Sequence, residues 1–110
     1  MIDKVTPITD ATFHDEVLDL HVPAAVIFSA DDCSPCQEIA HRLPKYAKRL
    51  KGRARIFTMD TDSNPSTSNW YKVTGVPTLV LIEHGVERHR VSGTLGIYAL
   101  LSLLASAPSP

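Results

Sequence analysis

Cys33-Ser34-Pro35-Cys36 is the segment whose residue types and spacing could do chemistry, and it holds both of the chain's 2 cysteines. Thiolate, not thiol, is the sulfur nucleophile and the metal ligand, so the surroundings of the pair decide its use. Just before it runs Ala24-Ala25-Val26-Ile27-Phe28, an unbroken apolar run that suits a strand buried on both faces. Behind it, Ile39, Leu43, Ala47 and Leu50 recur at helical spacing on one face. A strand feeding Cys-x-x-Cys into a helix start sets the first sulfur among unpaired N–H groups at the positive end of the helix dipole. That arrangement lowers a thiol pKa and leaves Cys33 partly thiolate, the species that attacks a disulfide. Cys33 is expected to be exposed, with Cys36 shielded one turn inside but within reach of it. Pro35 fits a first helical turn, where its missing N–H costs nothing. Two other uses stay open on the residues alone, a structural disulfide and a zinc site. Zinc needs two further ligands, and none of the 5 histidines shows a ligand pairing near a second cysteine, so no metal is assigned.

The elements that must position this pair follow from pattern. Thr9 or Asp10 can cap an opening helix carrying Phe13, Val17 and Leu20. Pro44 falls inside the helix behind the cysteines, where a kink or break is expected. Arg55 to Met59 reads as a strand, Asp62 to Ser68 as turn, and Asn69 to Val73 as a short helix. After Gly75-Val76-Pro77 comes the apolar run Thr78 to Ile82, joined through a turn at His84-Gly85 to a more polar strand, Glu87 to Val91. Leu95 to Leu104 forms a last, strongly apolar helix. Helix, strand, helix, strand, helix, strand, strand, helix makes an α/β sandwich with a central sheet covered on both sides.

Composition narrows the function. A chain of 110 residues, 44% hydrophobic, suits one domain with one core, assigned to residues 1–105, with 106–110 read as a disordered tail. Its 11 Lys and Arg nearly balance 12 Asp and Glu, which argues against a dedicated nucleic-acid or anionic-membrane binder. No apolar stretch approaches the roughly 20 residues that cross a bilayer. The Met1-Ile2-Asp3-Lys4 start has neither the basic nor the apolar region of a signal peptide. The expectation is a cytoplasmic protein, and in a reducing compartment a close cysteine pair means metal binding or redox catalysis.

Over nearly its whole length the chain resembles the thioredoxin family. The matching segments are Thr9-Asp10-x-x-Phe13-x-x-Glu16-Val17-Leu18, Phe28-x-Ala30-x-x-Cys33-x-Pro35-Cys36, and Asp62-x-Asn64-Pro65 followed by Tyr71-x-Val73-x-Gly75-Val76-Pro77-Thr78-Leu79, with Gly85 and Gly93 also in place. The resemblance implies a thioredoxin fold, a three-layer sandwich with a central mixed β-sheet flanked by helices. It implies that Cys33 attacks a partner disulfide and Cys36 resolves the mixed disulfide, with no cofactor. Pro77 is then expected to be cis and to face the cysteines, and Ser34, Pro35, Val76, Pro77, Thr78 and Gly93 to bind the substrate chain. Partners would be protein disulfides and a recycling reductase, and the protein a monomer.

Four departures from the family pattern carry physical consequences. Where the family has tryptophan before the first cysteine, this chain has Asp32, with Asp31 beside it. Two carboxylates there oppose the helix dipole, push the Cys33 thiol upward and make the rim acidic, favouring basic partners. The family's buried aspartate falls at Ile27 and its lysine partner at Thr58, so proton transfer to or from the second cysteine loses a helper. The kinking proline falls at His41, with Pro44 one turn later, and Ser34 replaces a common glycine. The run Arg42, Lys45, Lys48, Arg49, Lys51, Arg53 and Arg55 reads as a solvated face, with docking of an acidic partner or nucleic acid as the sharper reading. Trp70 and Tyr71 either pack on the sheet or line a partner groove. Two functions stand: a thiol–disulfide oxidoreductase, and a binding or chaperone-like module of the same fold with little redox turnover.

Overall fold

The computed structural model describes residues 4–106. Strands β1 (Val5–Pro7), β2 (Ala24–Ser29), β3 (Arg55–Asp60), β4 (Thr78–Glu83) and β5 (Val86–Ser92) form one sheet in the order β1-β3-β2-β4-β5. β1, β3 and β2 run parallel, while β4 is antiparallel to both β2 and β5. Helices α1 (Ser34–Leu50) and α3 (Thr94–Ser106) cover one face; α2 (Pro65–Trp70) and a π-helical turn (His14–Leu18) flank the other. The mixed sheet between helical layers is the expected α/β architecture.

β2 lies at the centre, and strand alternation divides its side chains between two cores. Ala25 and Ile27 join Ile39, Leu43, Leu79, Ile97 and Leu101 under α1 and α3. Ala24, Val26 and Phe28 join Phe13, Val17, Phe57 and Tyr71 on the opposite face. Along α1, Cys36, Ile39, Leu43, Ala47 and Leu50 are all buried, the face read from spacing. Pro44 does not break this helix. Ala40, whose carbonyl loses its partner, is exposed like Pro44 itself, so water can satisfy it. The helix ends where Lys51 and then Gly52 turn left-handed, at φ 53° and 80°.

Four details differ from the pattern reading. The short helix spans Pro65–Trp70, not Asn69 to Val73: it opens at Pro65, inside the stretch expected to be turn, because a proline suits a first helical position. β1 was not anticipated, because three residues ending in proline carry almost no periodicity; an edge position tolerates Pro7. The opening helix is a set of turns started by the Thr9 carbonyl, followed by the π-helical turn, though Phe13 and Val17 are buried as expected. Asp10 caps a different helix. Its carboxylate accepts from the backbone N–H of Ser66 (3.1 Å) and Thr67 (2.8 Å), the first turn of α2. The Asp10 N–H in turn donates to the Asn64 side-chain oxygen at 2.8 Å. Burial works to raise the Asp10 carboxyl, but the bonds from Thr67 and Ser66 outweigh it and hold it below its ordinary value. Beyond Ser106, the disordered-tail expectation lies outside the described residues.

Candidate active site

β2 ends at Ser29, and the chain reaches Cys33 through the exposed Asp31 and Asp32. Cys33 is the N-cap residue of α1, in extended backbone conformation, and its Sγ accepts the Cys36 N–H at 3.1 Å. A sulfur therefore occupies the place a serine or aspartate oxygen takes in an ordinary N-cap. The Cys33 carbonyl accepts the Gln37 N–H at 3.1 Å, and the Gln37 side chain donates to the Asp31 carbonyl at 3.1 Å, tying the approach segment to the helix. Ser34 and Pro35, in the first turn, are exposed beside the pair.

Cys33 and Cys36 are joined as a disulfide, with Cα atoms 5.2 Å apart. The expected contrast in exposure is absent: Cys33 is 8% exposed and Cys36 6%. What separates the two sulfurs is position on the helix, since among the described residues Cys33 Sγ accepts a backbone N–H and Cys36 Sγ does not.

The Val76–Pro77 peptide is cis. Because Thr78 pairs with Phe28, Pro77 lies at the same end of the sheet as the cysteines. The Pro77 carbonyl accepts the Gly93 N–H at 3.0 Å, and Thr78 Oγ1 donates to the Gly75 carbonyl at 2.6 Å and meets Ser92 Oγ at 3.1 Å. Thr78 is thus a buried brace under the loop. Neither backbone polar group of Val76 has a hydrogen-bond partner among the described residues. Gly93 has φ 86°, and open space lies where its Cβ would be.

The remaining sequence candidates sort themselves by place. Ile27 is 2% exposed, and the register pairs it directly with Thr58, so the two departures are neighbours in an apolar setting. His41 is exposed on α1. Of the basic run, Arg42, Arg49 and Arg55 lie over the rings of Tyr98, Tyr46 and Phe57, at 5.6, 5.6 and 5.3 Å from the centroids. Arg53 donates to the carbonyls of Leu50 (3.1 Å), Arg49 (3.3 Å) and Ala105 (2.6 Å), joining the ends of α1 and α3. Trp70 and Tyr71 border a cavity of about 510 Å³ with Phe13, Leu18, Ser66, Thr67, His84 and Gly85. His84-Gly85 is the turn at the far end of β4, so this cavity is remote from the cysteines. Leu95, 85% exposed just after Gly93, offers apolar surface near the site that pattern reading missed, because it counts as one more residue of an apolar helix.

A pair of sulfurs that caps a helix and closes on itself stores two electrons as thiols and gives them up as the disulfide, which is the chemistry of a thiol–disulfide oxidoreductase. Comparison with known proteins agrees. Residues 4–106 match the family model for thioredoxin. The chain is 31% identical over 102 residues to a thioredoxin of Synechocystis sp., covering 92% of this chain and 95% of the relative. It is 40% identical over 81 residues to a thioredoxin of Thiocapsa roseopersicina (74% and 89% covered) and 34% over 88 residues to thioredoxin 1 of Nostoc sp. (80% and 82%). The chain belongs to the thioredoxin family, and it is a thiol–disulfide oxidoreductase. Among the described residues no helix is long and apolar enough to cross a membrane.

Proposed function

We propose that this protein reduces disulfides in partner proteins, with Cys33 as nucleophile and Cys36 as resolving thiol. The Cys33 thiolate attacks one sulfur of the substrate disulfide and expels the other as a thiolate, forming a mixed disulfide. Cys36, deprotonated, then attacks Cys33 Sγ, releasing the second substrate thiolate and leaving the Cys33–Cys36 disulfide. Two electrons have passed to the substrate, and a separate reductase returns two electrons and two protons. The observation that carries the assignment is the Cys36 N–H aimed at Cys33 Sγ, which favours negative charge on that sulfur and not on its partner. The unpaired backbone groups of Val76, beside cis Pro77, support pairing with an extended substrate chain. The exposed Ser34 and Pro35 and the open space at Gly93, whose N–H the Pro77 carbonyl accepts, make up the rest of the surface this reading assigns to the substrate chain, with Thr78 buried beneath the loop. A cytoplasmic monomer of one domain, serving cell redox homeostasis and electron transport, is the setting this reading fits. Turbidimetric insulin reduction with dithiothreitol tests it: the wild type should accelerate precipitation and Cys33→Ser should abolish the acceleration. Equal rates with both would sink the assignment.

Asp32 tunes the reaction in the same reading. It is exposed and has no ion-pair partner among the described residues, so it opposes a thiolate on the adjacent Cys33. Asp32→Asn should raise the rate of Cys33 alkylation near neutral pH about twofold to fivefold, an effect that shrinks in high salt. An unchanged rate would mean the carboxylate points away from the sulfur. Asp32→Trp separates charge from contact: if it alone speeds insulin reduction, lost apolar surface outweighs the charge.

A further inference from the structure

Arg90 grips the start of the loop that ends at Pro77, and we infer that it is a positioning residue that sets the Val76–Pro77 edge for substrate. This rests on the reading of that edge as the substrate-binding strand. Arg90 Nη2 donates to the Tyr71 carbonyl and Nη1 to the Lys72 carbonyl at 3.3 Å. Those carbonyls sit at the C-terminal end of α2, where a cation meets the negative end of the helix. Lys72 itself takes a left-handed φ of 53°, reversing the chain toward Val76.

The guanidinium is in turn fixed by Glu87, whose two carboxylate oxygens accept from Nε at 2.9 Å and Nη2 at 2.8 Å. The Arg90 hydrogen bond holds the Glu87 carboxyl below its ordinary value. Residues three apart on a regular strand face opposite ways. Here Leu81 pairs with His89 and Ile82 with Glu87, so Arg88 is an extra residue in β5. That bulge brings Glu87 and Arg90 to one side, as bulges re-aim side chains elsewhere. The loop is therefore pinned twice, at Tyr71–Lys72 by Arg90 and at Gly75 by Thr78. Between the pins lie only Val73 and Thr74; Val76 follows the second.

Such a clamp matters to a substrate that pairs with the Val76 backbone and not to one that meets only Cys33. The test compares insulin with the small aromatic disulfide 5,5′-dithiobis(2-nitrobenzoate). For Arg90→Ala, the KM for insulin should rise about fivefold to tenfold with kcat nearly unchanged, while the rate on the small disulfide stays within about twofold. Arg90→Lys, a point charge without the planar fork, should recover only part of the loss. Glu87→Gln, which keeps the carbonyl contacts, should raise the KM about twofold and serves alone if Arg90→Ala does not fold. Equal losses on both substrates, or no change in the insulin KM for either variant, would overturn the inference. Wild-type protein inactive on both disulfides would instead overturn the proposed function.

Discussion

Replacing Cys36 with serine should turn the protein from a catalyst into a trap. Once Cys33 has formed its mixed disulfide, escape depends on the neighbouring sulfur, held one helical turn away at a Cα separation of 5.2 Å. Well-oriented intramolecular attack corresponds to effective molarities of roughly 10⁵ M or more, beyond the reach of any thiol free in solution. A serine hydroxyl stays protonated at neutral pH and cannot substitute. Covalent complexes between Cys36→Ser protein and its partners should therefore accumulate by orders of magnitude and vanish on reduction. Non-reducing gels with mass spectrometry of the captured chains provide the measurement, and the linked residue should be Cys33. Cys33→Ser should capture almost nothing. Equal capture by the two variants would reverse or erase the assigned roles, since similar burial of the two sulfurs gives no independent safeguard. The captured sequences also test the acidic rim: basic residues should be enriched around the trapped cysteine.

Much of this site was legible because its chemistry is local. Cys33, Pro35 and Cys36 lie within one helical turn, and the strand before them and the apolar face behind them are continuous in sequence. The fold's class followed from the same runs. What stayed hidden depends on register or on partners far along the chain. Of the two residues able to cap the opening turn, Thr9 does so, its Oγ1 accepting the Thr12 N–H at 3.3 Å, while Asp10 caps α2 at Ser66 and Thr67, a pairing that no local pattern encodes. Arg90 and Glu87 looked like ordinary polar positions on an edge strand, since only the bulge at Arg88 puts them on one side. β1 escaped because three residues cannot show a period, and its place is fixed by β3, to which Val5, Thr6 and Pro7 are aligned. The basic run looked like one feature by composition, yet three of its arginines rest on aromatic rings and a fourth closes helix ends.

Ile27 is where departure from the family pattern should have the largest effect on stability. Its side chain is 2% exposed, between Thr58 on β3 and Leu79 on β4, in the apolar layer under α1. Ile27→Asp restores the family's residue type in a core that has adapted to its absence. The substitution removes buried apolar surface and strands a carboxyl without a partner, so it should cost about 3–5 kcal/mol, a large share of a typical domain's stability. Burial disfavours the charged form and holds the new carboxyl above its unfolded value. The folded state then binds the proton more tightly, so the penalty should be smallest at acid pH and grow as pH rises toward the folded value. Adding Thr58→Lys places a cation at the directly paired position, and the double variant should regain about 1–2 kcal/mol of the loss. Urea unfolding of both single variants and the double variant, at pH 4 and pH 8, completes the cycle. A penalty below about 1 kcal/mol, or one independent of pH, would mean water reaches position 27 and the layer beneath the cysteines is not dry. If the coupling holds, the same variants separate stability from chemistry: in the proposed reaction an acid at position 27, where the family pattern has one, should shorten the lifetime of the mixed disulfide even while the fold weakens.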